Sequence, residues 1–248
     1  MSLNIRSLFL VVFVTVLLAG CAAPTPTVVA TVEVPTSTAL SPTEPAPMST
    51  ATPGLSGVQV SIPVEGGSAT FDATIVGDGE VAAILGYGVN DSVGVLPLVE
   101  TLGSDDHLQI VAFAYRDVEA TSSEDTRAVF AYLRTQNFSR IICITFGFGQ
   151  TCGALQREPE IIGMVFYDAA FVPAIEADFP KLFLASDPGS PFVTVGQIQR
   201  EFDQAADPKT FKTYESGSFG LGVFTDPKAG PQLLSDIKDF ISGITHGQ

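Results

Sequence analysis

Arg140-Ile141-Ile142-Cys143-Ile144-Thr145-Phe146-Gly147-Phe148-Gly149-Gln150-Thr151-Cys152-Gly153-Ala154-Leu155 decides the fold of this 248-residue chain. Ile141 to Thr145 is a near-continuous apolar run, as expected of a strand covered on both faces. The small residues that follow mark a sharp turn from that strand into a helix. Runs of the same kind recur at Val81–Leu85, Gln109–Ala114, Ile161–Tyr167 and Lys181–Ala185. Val58–Val64 and Ala69–Val76 read as two further strands joined at Gly66-Gly67. Asp125–Gln136, Val195–Ala206 and Pro231–Ile244 have helical spacing, the last with Leu233, Leu234, Ile237, Phe240 and Ile241 on one side. Strands alternating with helices predict an α/β fold with a mostly parallel, doubly wound sheet. Ligands of such sheets sit beyond the carboxyl ends of the strands. No internal repeat interrupts the pattern.

Composition narrows the function. Charged residues make up 16% of the chain and mean hydropathy is +0.33, so much of it must be buried or in lipid. The formal charge of -15 argues against a nucleic-acid partner, which requires a basic face. The acidic excess keeps a domain soluble.

The amino terminus reads as a leader. Arg6 precedes the uncharged run Leu8 to Leu18, which is short for a membrane span and the right length for the core of a secretion signal. It ends at Leu18-Ala19-Gly20-Cys21, which resembles the lipobox of bacterial lipoproteins. The resemblance implies a signal peptide over 1–20, cleavage before Cys21, and a diacylglycerol on its thiol, holding the protein to the membrane on the extracytoplasmic side. Residues 22–57 are rich in Thr, Pro, Ala, Ser and Val with only Glu33 and Glu44 charged, and are expected to form a disordered tether of about 35 Å as a coil. The folded domain is expected over 58–248.

The stretch at 140–155 resembles the nucleophile elbow of α/β-hydrolases, in which a Gly-x-Ser-x-Gly turn exposes the serine. The likeness runs over the whole globular part and is similar to dienelactone-hydrolase-like proteins and related lipoprotein hydrolases, with no separate cap domain. Aligned without a gap, Thr145, Gly147 and Gly149 occupy the glycine, serine and glycine places. Leu85-Gly86-Tyr87-Gly88 stands at the oxyanion loop, making Gly86 and the backbone of Phe148 the oxyanion candidates. Ala112-Phe113-Ala114-Tyr115-Arg116-Asp117 resembles the family's Asp-x-Arg-Gly stretch and keeps the arginine. The acid's place falls on Asp187 or, by the proline spacing, on Ser190. Ser216-Gly217-Ser218-Phe219-Gly220 puts phenylalanine at the histidine position. The resemblance therefore implies a hydrolase fold without serine or histidine in its triad, hence a binding or scaffolding protein. Serine needs an imidazole to activate it, and loss of either costs on the order of 10⁶ in turnover.

Two other readings stay open. Shifted by four residues, Gly149-Gln150-Thr151-Cys152-Gly153 offers Thr151 or Cys152 as an unorthodox nucleophile of an esterase. Against this, Thr151 also reads as a packing residue and Cys152 as a buried thiol, and a Cys143–Cys152 disulfide is not expected because Cys143 lies in a buried strand. Gly147, Gly149 and Gly153 with Asp168 imitate a dinucleotide-binding turn. His107 and His246 read as solvated surface residues. Asp105-Asp106 and Glu124-Asp125 read as solvated caps and turns, so neither a metal nor a cofactor is expected.

Overall fold

The computed structural model describes residues 54–66, 69–148 and 150–246; the leader, Cys21 and the tether up to residue 53 lie outside them. Eight strands form one sheet: β1 (Val58–Pro63), β2 (Thr70–Val76), β3 (Val81–Tyr87), β4 (Leu108–Ala114), β5 (Ile141–Phe148), β6 (Ile161–Ala170), β7 (Lys181–Asp187) and β8 (Lys209–Glu215). Their order is β1-β2-β4-β3-β5-β6-β7-β8. β2 runs antiparallel to both its neighbours, and every pair from β4 to β8 is parallel. The sheet is thus mostly parallel, as expected, and the carboxyl ends of β3 to β8 share one edge.

Helices cover both faces. On one, α2 (Ser122–Thr135), α3 (Gln150–Gly153) and α4 (Val195–Gln204) bury Val129, Leu133, Cys152 and Ile198 against Phe113, Cys143, Phe166 and Phe183. On the other, α1 (Ser92–Leu102) and α5 (Gly230–His246) bury Leu98, Leu102, Leu233 and Ile237 against Leu85, Ile144, Val165 and Leu184. A 3-10 turn, Gly220–Thr225, closes the second face through Leu221, Val223 and Phe224. Leu55, assigned by composition to the tether, also packs on this second cluster.

Some elements escaped the sequence pattern. α1 contains Gly94 and Pro97, which are poor helix residues, yet it buries Val95, Leu98, Val99 and Leu102 completely or nearly so. Tertiary burial overrides propensity here. Gly94 is required because a side chain there would press on Leu221 Cβ at 2.8 Å. β8 is a sheet edge with alternating burial and two lysines, Lys209 and Lys212, a composition that resists further strand pairing. Among the described residues no helix is long and apolar enough to cross a membrane.

Candidate functional site

β5 ends in a turn whose Gly147 has φ +71. That left-handed conformation is costly for a residue with a Cβ. Space is not the constraint, since a Cβ on Gly147 would meet nothing within 4 Å. Glycine adopts that conformation without strain, so the turn combines a left-handed backbone with an open outlook and carries no side chain.

The underside of the turn is closed by covalent and polar contacts. Cys143 and Cys152 form a disulfide, contrary to the sequence expectation. The chain reverses at Gly147, so α3 folds back over the face to which Cys143 points, and the two Cα atoms come to 5.6 Å. Burial of the strand did not oppose the bond, as both cysteines are 1% exposed. Cys152 consequently has no free thiolate. Thr151 is fully buried and its hydroxyl lies 2.8 Å from that of Thr145, so it does not face the open edge either. Both unorthodox nucleophiles are thereby removed from reach. Burial pushes the Tyr115 phenol above its ordinary range, opposed by hydrogen bonding to Thr151, Thr126 and Thr145. Neutral hydroxyls, rather than an acid and a base, thus underlie the elbow.

Gly86, expected in an oxyanion loop, is a ladder residue of β3 paired with Phe113. A Cβ there would collide with the Tyr115 hydroxyl, which explains the glycine by packing. The loop begins one residue beyond β3, at Gly88, whose carbonyl accepts the Asp91 N–H. Phe148 ends β5 with its backbone paired to Ala170.

The residues expected at the acid and histidine places lie at the end of β7 or on loops at the carboxyl edge. Asp187 ends β7 and is exposed, and its carbonyl accepts the Ser216 N–H. Ser190 Oγ accepts the N–H groups of Phe192 (3.2 Å) and Val193 (2.9 Å), so it braces the loop after β7. Phe219 is 52% exposed just before the 3-10 turn. The two histidines lie at the opposite, amino edge. Their rings meet edge to face at 4.4 Å, and His246 Nε2 is 3.7 Å from Asp105 Oδ2. Read separately as solvated, they are exposed but paired. Their separation from the elbow is about the length of β4, roughly 20 Å.

Asp168 is the residue whose place here the sequence reading missed. The sequence pattern suggests it only as part of an imitation of a dinucleotide-binding turn. It ends the apolar part of β6 at φ +44, is 3% exposed, and accepts Ser186 N–H (2.8 Å), Ser186 Oγ–H (2.5 Å) and Gly220 N–H (3.3 Å). A lone carboxylate at the end of a buried strand was the available signal. Its oxygens are engaged within the protein, α3 is a single turn, and a Cβ on Gly153 would collide with the Pro173 ring. Asp168 is therefore committed to internal hydrogen bonds and Gly153 to close packing, while Gly149 lies outside the described residues.

Asp125, expected to be solvated, is instead fully buried and accepts Arg116 N–H (3.0 Å), Arg116 Nε–H (2.7 Å) and Thr121 Oγ–H (2.9 Å). Arg116 also donates to Glu124 at 2.7 Å. The arginine retained from the family-like stretch thus ties β4 to the start of α2. Among the described residues no group of three or more metal-ligating side chains is assembled.

No family model matches the sequence, and no curated protein matches it. The fold is similar to that of solved hydrolases. An esterase domain from Rhodothermus marinus has 16% identity and a TM-score of 0.57, over 74% of this chain and 96% of that one. The Pyrococcus furiosus esterase Pf2001 has 13% identity and a TM-score of 0.61, over 77% and 91%. Est1E from Butyrivibrio proteoclasticus has 12% identity and a TM-score of 0.58, over 75% and 98%. At such identities the likeness carries the fold alone.

Proposed function

From an α/β-hydrolase fold, we propose that this chain is a lipid-anchored, extracytoplasmic protein that binds or scaffolds at the carboxyl edge of its sheet and does not hydrolyse. The observation that carries this reading is Gly147. It keeps the left-handed backbone of an elbow, has open space where a nucleophile would project, and supplies none. Phe219 at the histidine place accepts no proton, and both histidines lie at the other edge. The anchor is supported by Leu18-Ala19-Gly20-Cys21 after an apolar run.

A serine-directed phosphonate tests the catalytic half, because labelling requires an activated hydroxyl at an accessible turn. The purified chain should remain unlabelled and turn over no short-chain aryl ester above the rate of heat-denatured protein. Stoichiometric labelling would overturn the reading. Replacing Cys21 with alanine tests the anchor: the variant should leave the membrane fraction or accumulate unprocessed.

A further inference from the structure

The described residues include six large apolar side chains that are exposed, and five of them, Val89, Val93, Phe171, Phe192 and Phe219, follow the carboxyl ends of β3, β6, β7 and β8. β6, β7 and β8 are successive neighbours, which sets the three phenylalanine loops side by side. Phe192 is 86% exposed and Phe171 66%. The sixth residue, Val58, begins β1, the lateral strand farthest from β8, and through Ile75 it is level with Val111 in the middle of β4.

These phenylalanines are presented by braced loops. Phe171 holds φ +59, a strained state for a residue with a Cβ, and its N–H donates to Glu201 Oε1 at 3.0 Å. The Phe192 N–H donates to Ser190 Oγ. Gly220, next to Phe219, donates its N–H to the buried Asp168. Side chains from α4, the β7 loop and β6 thus hold the backbone of the three loops that carry these exposed phenylalanines, with backbone strain at Phe171 alone. The loop segments 88–93, 171–175, 188–194 and 216–222 contain Asp91 as their only charge; around them stand Asp187, the Glu215–Lys228 pair, and Arg116, Asp117 and Glu119 after β4, a rim of mixed sign.

We propose that this aromatic edge docks on a zwitterionic lipid bilayer. The inference rests on the lipid-anchored reading for the nearness of the bilayer. The chain outside the structure supplies that nearness: it leads back to Cys21 through a length that reaches about 35 Å as a coil, more than the distance along the sheet from Val58, level with the middle of β4, to the carboxyl edge. Exposed aromatic and aliphatic side chains whose neighbouring cations are already paired to carboxylates match a neutral interface. A formal charge of -15 opposes an anionic one.

The chain contains no tryptophan, so single Phe192→Trp, Phe219→Trp and Val58→Trp variants of the full-length protein report their own surroundings. On phosphatidylcholine vesicles with brominated acyl chains, reporters at 192 and 219 should be quenched at least about threefold more than the one at 58. Replacing a third of the lipid with phosphatidylglycerol should reduce that quenching. Equal, weak quenching at all three positions overturns docking, as does a blue-shifted emission at 192 and 219 without bromine quenching, which would mean that protein covers the edge. The mass of the amino-terminal peptide reports the anchor separately. A modified Cys21 without quenching sinks docking alone, an unmodified Cys21 with quenching on added vesicles sinks the anchor alone, and an unmodified Cys21 without quenching sinks both.

Discussion

Cys143, within β5, is disulfide-bonded to Cys152 in α3, so the turn at Gly147 is spanned by a covalent bridge nine residues apart in sequence. A bridge over so short a loop stabilises the fold chiefly by restricting the unfolded chain, by about 2 to 3 kcal/mol. Reduction, or the Cys143→Ala/Cys152→Ala pair, should lower the melting temperature by roughly 5–10 °C for a domain of this size. Thiol titration of the unfolded, unreduced chain should find neither cysteine reactive. A melting temperature indifferent to reductant would contradict the bridge.

Glycines around the elbow should differ sharply in tolerance. Gly147→Ala meets no atom and incurs only the left-handed backbone cost, about 1 to 2 kcal/mol. Gly153→Ala drives a methyl group into Pro173 and should cost more. Denaturant unfolding of both variants checks the order, and a reversed ranking would place the turn elsewhere.

Arg116→Ala should destabilise by about 3 kcal/mol, because it strands the fully buried Asp125 carboxylate without its cation. Adding Asp125→Asn removes the orphaned charge and should recover part of the loss. If the double variant is no more stable than the single one, the pair is not coupled as described.

Acid stability should depend on Asp226. The N–H groups of Ala229 and Lys228, then the Ser216 hydroxyl, hold its carboxyl down to about 2 from 3.8. Its folded value lies below its unfolded one, so its contribution is present above about pH 4 and is lost as pH falls toward 2. Asp226→Asn should flatten the stability profile in that window and leave its shape at pH 5 to 7 unchanged. Equilibrium unfolding across that range provides the measurement.

The buried strands were legible because a parallel sheet covered on both faces leaves uninterrupted apolar runs, as at Ile141–Thr145 and Ile161–Tyr167. α1 was not, since Pro97 and Gly94 obscure a helix that only burial under α5 and the 3-10 turn makes stable. The sharp turn after β5 was legible in its small residues, and Gly147 does adopt the left-handed state. What stands around it was not. The pairing of Cys143 with Cys152 depends on a chain reversal, the burial of Asp125 on an arginine nine residues away at the end of another element, and the role of Asp168 on Ser186 of β7 and Gly220 of the 3-10 turn. Local pattern carries no information on any of these partners.

The missing side chains give a final test of the elbow. A serine introduced as Gly147→Ser would inherit φ +71 and the open space above the turn, the geometry an exposed nucleophile needs. Alone it should remain unreactive, because no imidazole lies near. Phe219→His supplies one from an exposed position after β8, and Ser190→Asp supplies an acid after β7 while still able to accept the Phe192 and Val193 N–H groups that Ser190 now accepts. The triple variant should be labelled by phosphonate more than tenfold faster than Gly147→Ser alone, with the rate rising through the imidazole range as the base loses its proton. Labelling of the single variant at the rate of the triple one would show that an unrecognised base already serves the turn.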